Sequence, residues 1–141
     1  MTRHQRGSGE QGQAAPLLFV CLLAGIAFLG LAVDGARLFL ARRDLYAAVD
    51  AATLAGASEL DEQTYRATDG ASVQLDSAAA QLAASETLAA MVDPDAEVDI
   101  AADPQGVSVA VRREIPTLFL RVIGIDSNRI GADARSGPAG R

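Results

Sequence analysis

With 141 residues, the chain has room for one small domain plus whatever its N-terminus adds. Half of it is hydrophobic but only 4% is aromatic, and it holds 29 Ala, 12 Arg and no Lys, for a net charge of −6. One Cys (Cys21) and one His (His4) exclude a disulfide framework, a Cys/His zinc site and any histidine-dependent triad. No basic cluster is interleaved with aromatics, so nucleic acid is not an expected partner.

The charge is unevenly spread. Residues 1–33 carry Arg3 and Arg6 against Glu10, residues 50–103 carry twelve acids against Arg66 alone, and residues 104–141 carry six Arg against three acids. A short basic head, an acidic middle and a basic tail point to separate environments along the chain.

After a polar head at 1–13, Ala14 to Val33 is an unbroken run of 20 uncharged residues. As a helix it spans about 30 Å, the thickness of a bilayer's hydrocarbon core. A helix satisfies its own backbone in lipid, so the run predicts one transmembrane segment over 14–33. Pro16 falls in the first turn, where a missing N–H costs little. Gly25 and Gly30 offer flat spots for a neighbouring helix, although their five-residue spacing is not GxxxG. A competing reading is a secretory signal cleaved near Ala32 or Ala36, which would free a secreted binding module; the run is longer than the usual signal core. A buried helix of a soluble protein is a further alternative. Arginines flank both ends of the run, so charge alone does not orient it.

Residues 34–92 read as an Ala-rich helical region. No Pro interrupts 35–60, and Leu38, Leu45, Val49, Ala52 and Gly56 share one helical face, so the membrane helix is expected to continue to about Leu60, roughly 70 Å in all. Residues 61–71 are expected to be a polar loop, with Glu62 and Arg66 spaced to pair if a helix frays into it. A second helix is expected over 72–91, capped by Asp69 or Ser72, stopped by Asp93-Pro94, and packed by its alanines on Ala47–Ala57 of the first.

Residues 93–136 change period. Val98, Ile100 and Ala102, a turn at Asp103-Pro104-Gln105-Gly106, then Val107, Val109 and Val111 predict a β-hairpin. Its register sets Val98 opposite Val111, Ile100 opposite Val109 and Glu97 opposite Arg112. Pro116 to Ile123 reads as a short helix closed by Gly124, and 128–135 as a third strand with Ile130, Ala132 and Ala134 on one face. A frayed, disordered tail is expected at 137–141. The expected fold class is therefore α+β: a long transmembrane helix running into a helical stalk, a second helix, and a small antiparallel sheet of about three strands with a short helix.

The acidic ladder Asp93, Asp95, Glu97, Asp99 lacks the Gly and the terminal Glu of a calcium loop and reads as a solvated face. Asp34, just past the apolar run, reads as an interfacial residue paired with Arg37. No nucleophile–base pair, phosphate loop or ligand cluster stands in the sequence, so no enzyme activity, cofactor, metal or small-molecule ligand is expected.

What carries a signal is an ordered set of segments: the apolar run, Ala-Val-Asp-Gly-Ala-Arg at 32–37, Leu-Phe-Leu-Ala-Arg-Arg at 38–43, and Ala-Val-Asp-Ala-Ala-Thr-Leu-Ala-Gly-Ala at 48–57. Over about residues 6–58 this closely resembles the N-terminal segment of the Flp/Tad pilus-assembly TadE/TadG-like proteins, with their AVD-G-R-like membrane exit and ADAAALAGA-like segment. The family-motif and helix-packing positions are then Asp34, Gly35, Arg37, Arg42, Arg43, Asp50, Ala51, Ala52, Ala55 and Gly56. The resemblance implies a bacterial single-pass protein of the cytoplasmic (inner) membrane, its N-terminus cytoplasmic and its C-terminal part exported. It would be a structural or assembly component of a Flp (type IVb) pilus used in cell adhesion. The implied partners are other pilus-assembly or pilin-like membrane proteins and the lipid bilayer. Two departures stand out. A chain of this length does not hold the large C-terminal domain of longer TadG-like members. Pilin-like members are cut after a leader Gly with Glu five residues on, whereas Gly12, the candidate leader position here, is followed there by Leu17.

Overall fold

The computed structural model describes residues 11–138, with side chains from residue 14. The polar head therefore lies outside the described residues up to position 10, as does the expected tail from 139 on. The architecture is mixed α+β, with a long apolar N-terminal helix, further helices and a three-stranded antiparallel sheet.

Helix α1 runs without a break over Gln11–Ala57, 47 residues, with Pro16 inside its first two turns. At 1.5 Å per residue it is about 70 Å long. From Ala14 to Leu29 every side chain on it is exposed. Farther along, Leu45, Ala48, Val49, Ala52 and Ala57 are buried, on the face that the spacing of Leu38, Leu45, Val49, Ala52 and Gly56 marks out.

Past Ala57 the chain departs from expectation. Leu60 forms an isolated bridge with Leu75, and the Asp61 amide donates to the Gln74 carbonyl while the Asp76 amide donates to the Glu59 carbonyl. The segment between them closes on itself and holds helix α2, Glu62–Ala67, where a plain loop was expected. Asp61 nucleates it: its carboxylate accepts from the amides of Gln63 and Thr64 and from the Thr64 hydroxyl, which hold the carboxyl below its ordinary value. The exposed Glu62–Arg66 pair forms along it. Asp69 takes a left-handed turn (φ 51°) rather than a helix cap, and Ser72 donates its amide to Thr68 Oγ1. Helix α3 accordingly starts later than the 72 expected, at Ser77, and runs to Met91 with Asp76 as its cap. Its buried positions, Ala80, Ala84 and Leu88, are spaced by four and lie against α1.

Strands β1 (Glu97–Asp103) and β2 (Gly106–Pro116) form the hairpin in the expected register, with Val98 opposite Val111, Ile100 opposite Val109 and Glu97 opposite Arg112. β3 (Ser127–Ser136) pairs with the other edge of β2, giving the order β1-β2-β3. Between β2 and β3 only Leu120–Ile123 is helical, a single 3-10 turn. The expected helix from Pro116 is shorter because Pro116 is still in β2, paired with Ser127.

The sheet lays one face on the helices. Val107, Val109, Val111, Ile115, Ile130 and Ala132 join Leu45, Val49, Ala52, Ala84 and Leu88 in one core. α1 covers β2 and β3, and α3 covers chiefly β1. The other face carries the charges, with Glu114–Arg129 bridging β3 to β2 and Asp103–Arg135 reaching across β2 to β1. Of the acidic ladder, Glu97 pairs with Arg112 and Asp93 with Arg113, which ties the α3–β1 turn to β2.

β2 runs antiparallel to the outer part of α1. Val107, at its start, stands against Gly56, and Leu118, just past its end, reaches Asp34. Eleven residues of strand and 22 of helix cover nearly the same distance, about 35 Å. This matching of lengths brings a loop made 84 residues later in sequence back to the end of the apolar run.

Candidate functional site

The family-motif positions fall into three groups along α1. Gly12 lies near its start, in the backbone-described first turn. Asp34, Gly35, Arg37, Arg42 and Arg43 follow the apolar run; of these only Asp34 is buried, and the three arginines project outward. Asp50, Ala51, Ala52, Ala55 and Gly56 lie on the packed part: Asp50 exposed, Ala51 and Ala55 half-buried at its margin, Ala52 and Gly56 fully inside.

Gly56 has a direct steric reason. A Cβ there would stand 2.8 Å from the Ala80 carbonyl oxygen and 3.2 Å from both methyl groups of Val107. Only hydrogen fits where α1, α3 and β2 converge, and the backbone oxygen belongs to a helix that cannot yield alone.

Asp34 is the polar residue that sequence reasoning misassigned. Its partners are not Arg37 but three backbone amides: Leu118 donates to Oδ1 at 2.9 Å, and Phe119 and Leu120 donate to Oδ2 at 2.8 Å each. The side chain is 1% exposed. It serves the 3-10 turn as a capping carboxylate supplied from another element, at the end where helical N–H groups lack partners. Burial opposes its ionisation, but the amides of Leu118, Leu120 and Phe119, aided by the Arg37 charge, outweigh that and hold its carboxyl below the ordinary 3.8.

The loop that Asp34 fixes is closed by its own bonds. Thr117 donates its amide to the Asp126 carbonyl and its hydroxyl to the Ile125 carbonyl. The Ile125 amide reaches the Leu120 carbonyl, and Gly124 makes the left-handed exit (φ 88°). Phe119 lies across Gly30, where an added Cβ would come within 2.6 Å of its ring. The flat spot at Gly30 is thus filled by the chain's own loop rather than left for a neighbouring helix, while Gly25 has nothing within 4 Å of where a Cβ would stand. No local signal pointed to this contact, because its two halves lie more than 80 residues apart.

Among the described residues no group of His, Cys, Asp and Glu is arranged to hold a metal ion, and Cys21 is exposed on the apolar half of α1. What the geometry brings together is a packed helix–sheet junction and a loop tied to the end of the apolar run. No curated protein and no solved structure matches the chain. Residues 12–59, which hold every motif position from Gly12 to Gly56, match the family model described as putative Flp pilus-assembly TadE/G-like, and over this segment the chain is similar to that family.

Proposed function

We propose that this protein is a single-pass membrane component of a Flp (Tad, type IVb) pilus system, structural or assembly-related and without chemistry of its own. One coincidence carries the reading: the TadE/G-like segment at 12–59 is also the helix whose first half is apolar all round and, from Ala14 to Leu29, exposed at every position. A helix of that kind in water would be buried in a core; left bare, it calls for lipid or other helices. In this reading residues 14–33 anchor the chain in the cytoplasmic membrane, and the open face at Gly25 packs on other pilus-assembly or pilin-like helices. The N-terminus is cytoplasmic and the α+β head is exported, the orientation the family resemblance implies.

The Ala-rich face at 47–57 is taken up by α3 and the sheet, so partner contacts on this stretch fall to its exposed side, where Tyr46, Asp50 and Leu54 recur every four residues. Continuity of α1 supports an intact anchor over a cleaved signal. A cut after Ala36 would remove Asp34 and with it the acceptor of three loop amides.

The test is a blot of C-terminally tagged protein in spheroplasts with and without added protease. A full-length membrane band whose tag is digested is the expected result. A shorter soluble band outside the cells would establish signal cleavage instead, and a membrane-bound but protected tag would reverse the orientation and remove the pilus reading.

A further inference from the structure

We propose that the loop Thr117–Ile125 is a second membrane-embedded element, seated in the outer interfacial layer of the bilayer beside the end of the transmembrane helix. The proposal rests on the membrane reading of α1 and adds to it a site of lipid contact in the exported head.

Three observations carry it. The first is composition at an exposed tip: Val122 is 86% exposed and Ile123 71%, with Leu118 and Ile125 also bare. A run of large apolar side chains at the tip of a small head whose strand valines Val107, Val109 and Val111 are buried calls for a cover. The second is position. Asp34 ties the loop to the first residue past the apolar run, and Phe119 reaches down one helical turn to Gly30, within that run. The loop's apolar surface is therefore continuous with that of the helix, and a bilayer that covers Leu29 and Leu31 meets the loop at the same level.

The third is backbone chemistry. Irregular backbone is costly in an apolar medium unless its polar groups are satisfied. Here the amides of 118–120 go to Asp34, that of Thr117 to Asp126, and those of Val122, Gly124 and Ile125 to carbonyls within the loop. Asp34 is left with no bare carboxylate oxygen to carry into the interface. The charges suit a headgroup layer: Arg121, inside the loop, pairs with Asp126 just past it at 3.4 Å and can snorkel toward water, and Arg42 and Arg43 stand exposed beyond. A protein partner would also cover apolar side chains, but continuity with a lipid-facing helix favours lipid as the occupant.

The protein contains no Trp, so a single introduced one reports on its own surroundings. The full chain would be reconstituted in phosphatidylcholine–phosphatidylglycerol vesicles, with and without lipids brominated on the acyl chains. Three single variants would be compared: Val122→Trp in the loop, Leu23→Trp in the apolar run, and Leu82→Trp on the exposed side of α3. The expected result is blue-shifted emission, quenched by brominated lipid and shielded from aqueous iodide, for Val122→Trp and Leu23→Trp, with the reverse for Leu82→Trp. If Leu23→Trp is quenched by bromine and Val122→Trp is open to iodide, the loop proposal fails and the transmembrane reading survives. If Leu23→Trp is not quenched, both fail. Blue-shifted emission at 122 that brominated lipid leaves untouched would assign the loop to a protein contact and overturn lipid as its cover.

Discussion

Helix α1 has two halves of different composition and opposite surroundings. From Ala14 to Leu29 every side chain is exposed, while from Leu45 to Ala57 the inner face is shut under α3 and the sheet. The cause is both composition and pattern. The first half places Leu17, Leu18, Phe19 and Val20 in succession and so has no polar side to turn outward. The second interleaves Arg42, Arg43, Asp44 and Asp50 with Leu45, Val49 and Ala52, which leaves one stripe for a small domain to cover. One continuous helix can thus be solvated by lipid at one end and by its own protein at the other. Asp34 and Gly30 mark where the regime changes.

The sharpest way to break this comparison is to put a charge in each half. Ala52→Arg buries an unpaired guanidinium at a site with no exposure and should destabilise the head by at least about 4 kcal/mol, enough to unfold it. Leu22→Arg should leave the head folded and oppose membrane insertion by about 3 kcal/mol. Circular dichroism in micelles reads the first effect and membrane fractionation the second. If both variants failed in the same assay, the two halves would not be independent.

A milder pair sharpens the point. Leu45→Ala empties a core position and should cost about 3 kcal/mol in denaturant unfolding of the head, whereas Leu22→Ala, 61% exposed in the wild-type protein, should cost the head nothing measurable. Gly56→Val comes next, at about 2 kcal/mol, because the new side chain meets the Ala80 carbonyl oxygen before anything flexible. Gly25→Val, with open space around it, should leave the head's unfolding midpoint unchanged.

How much of this was legible in the sequence follows from range. Periodicity is local, so the stripe on α1, the hairpin register and the third strand can all be read from neighbouring residues. Helix α2 and the start of α3 were misread because polar composition hides that Asp61 and Asp76 cap helices while Leu60 and Leu75 pair across the intervening turn. Gly25 and Gly30 look equivalent in the chain, and only the return of Phe119 separates them. Asp34 was given Arg37 as a partner because a charge three residues on is the only one that local reasoning sees; its true partners are amides with no sequence signature.

The smallest effect expected on global stability is therefore the one that tests this junction most specifically. Asp34 has a lowered pKa in the fold, so its contribution is present in full above the ordinary value of 3.8 and is lost as pH falls through the lower folded value. Protection factors of the Leu118, Phe119 and Leu120 amides in micelles should be flat from neutral pH to about 4 and then decline, while those of Val109 and Val111 in the core hold. Asp34→Asn should show low protection in the loop at every pH, because the amide oxygen can receive some of these bonds but carries no charge to strengthen them. Loop protection that persisted unchanged in acid would mean that sheet packing alone holds the loop at the membrane exit, and that the two halves of α1 are joined by β2 rather than by Asp34.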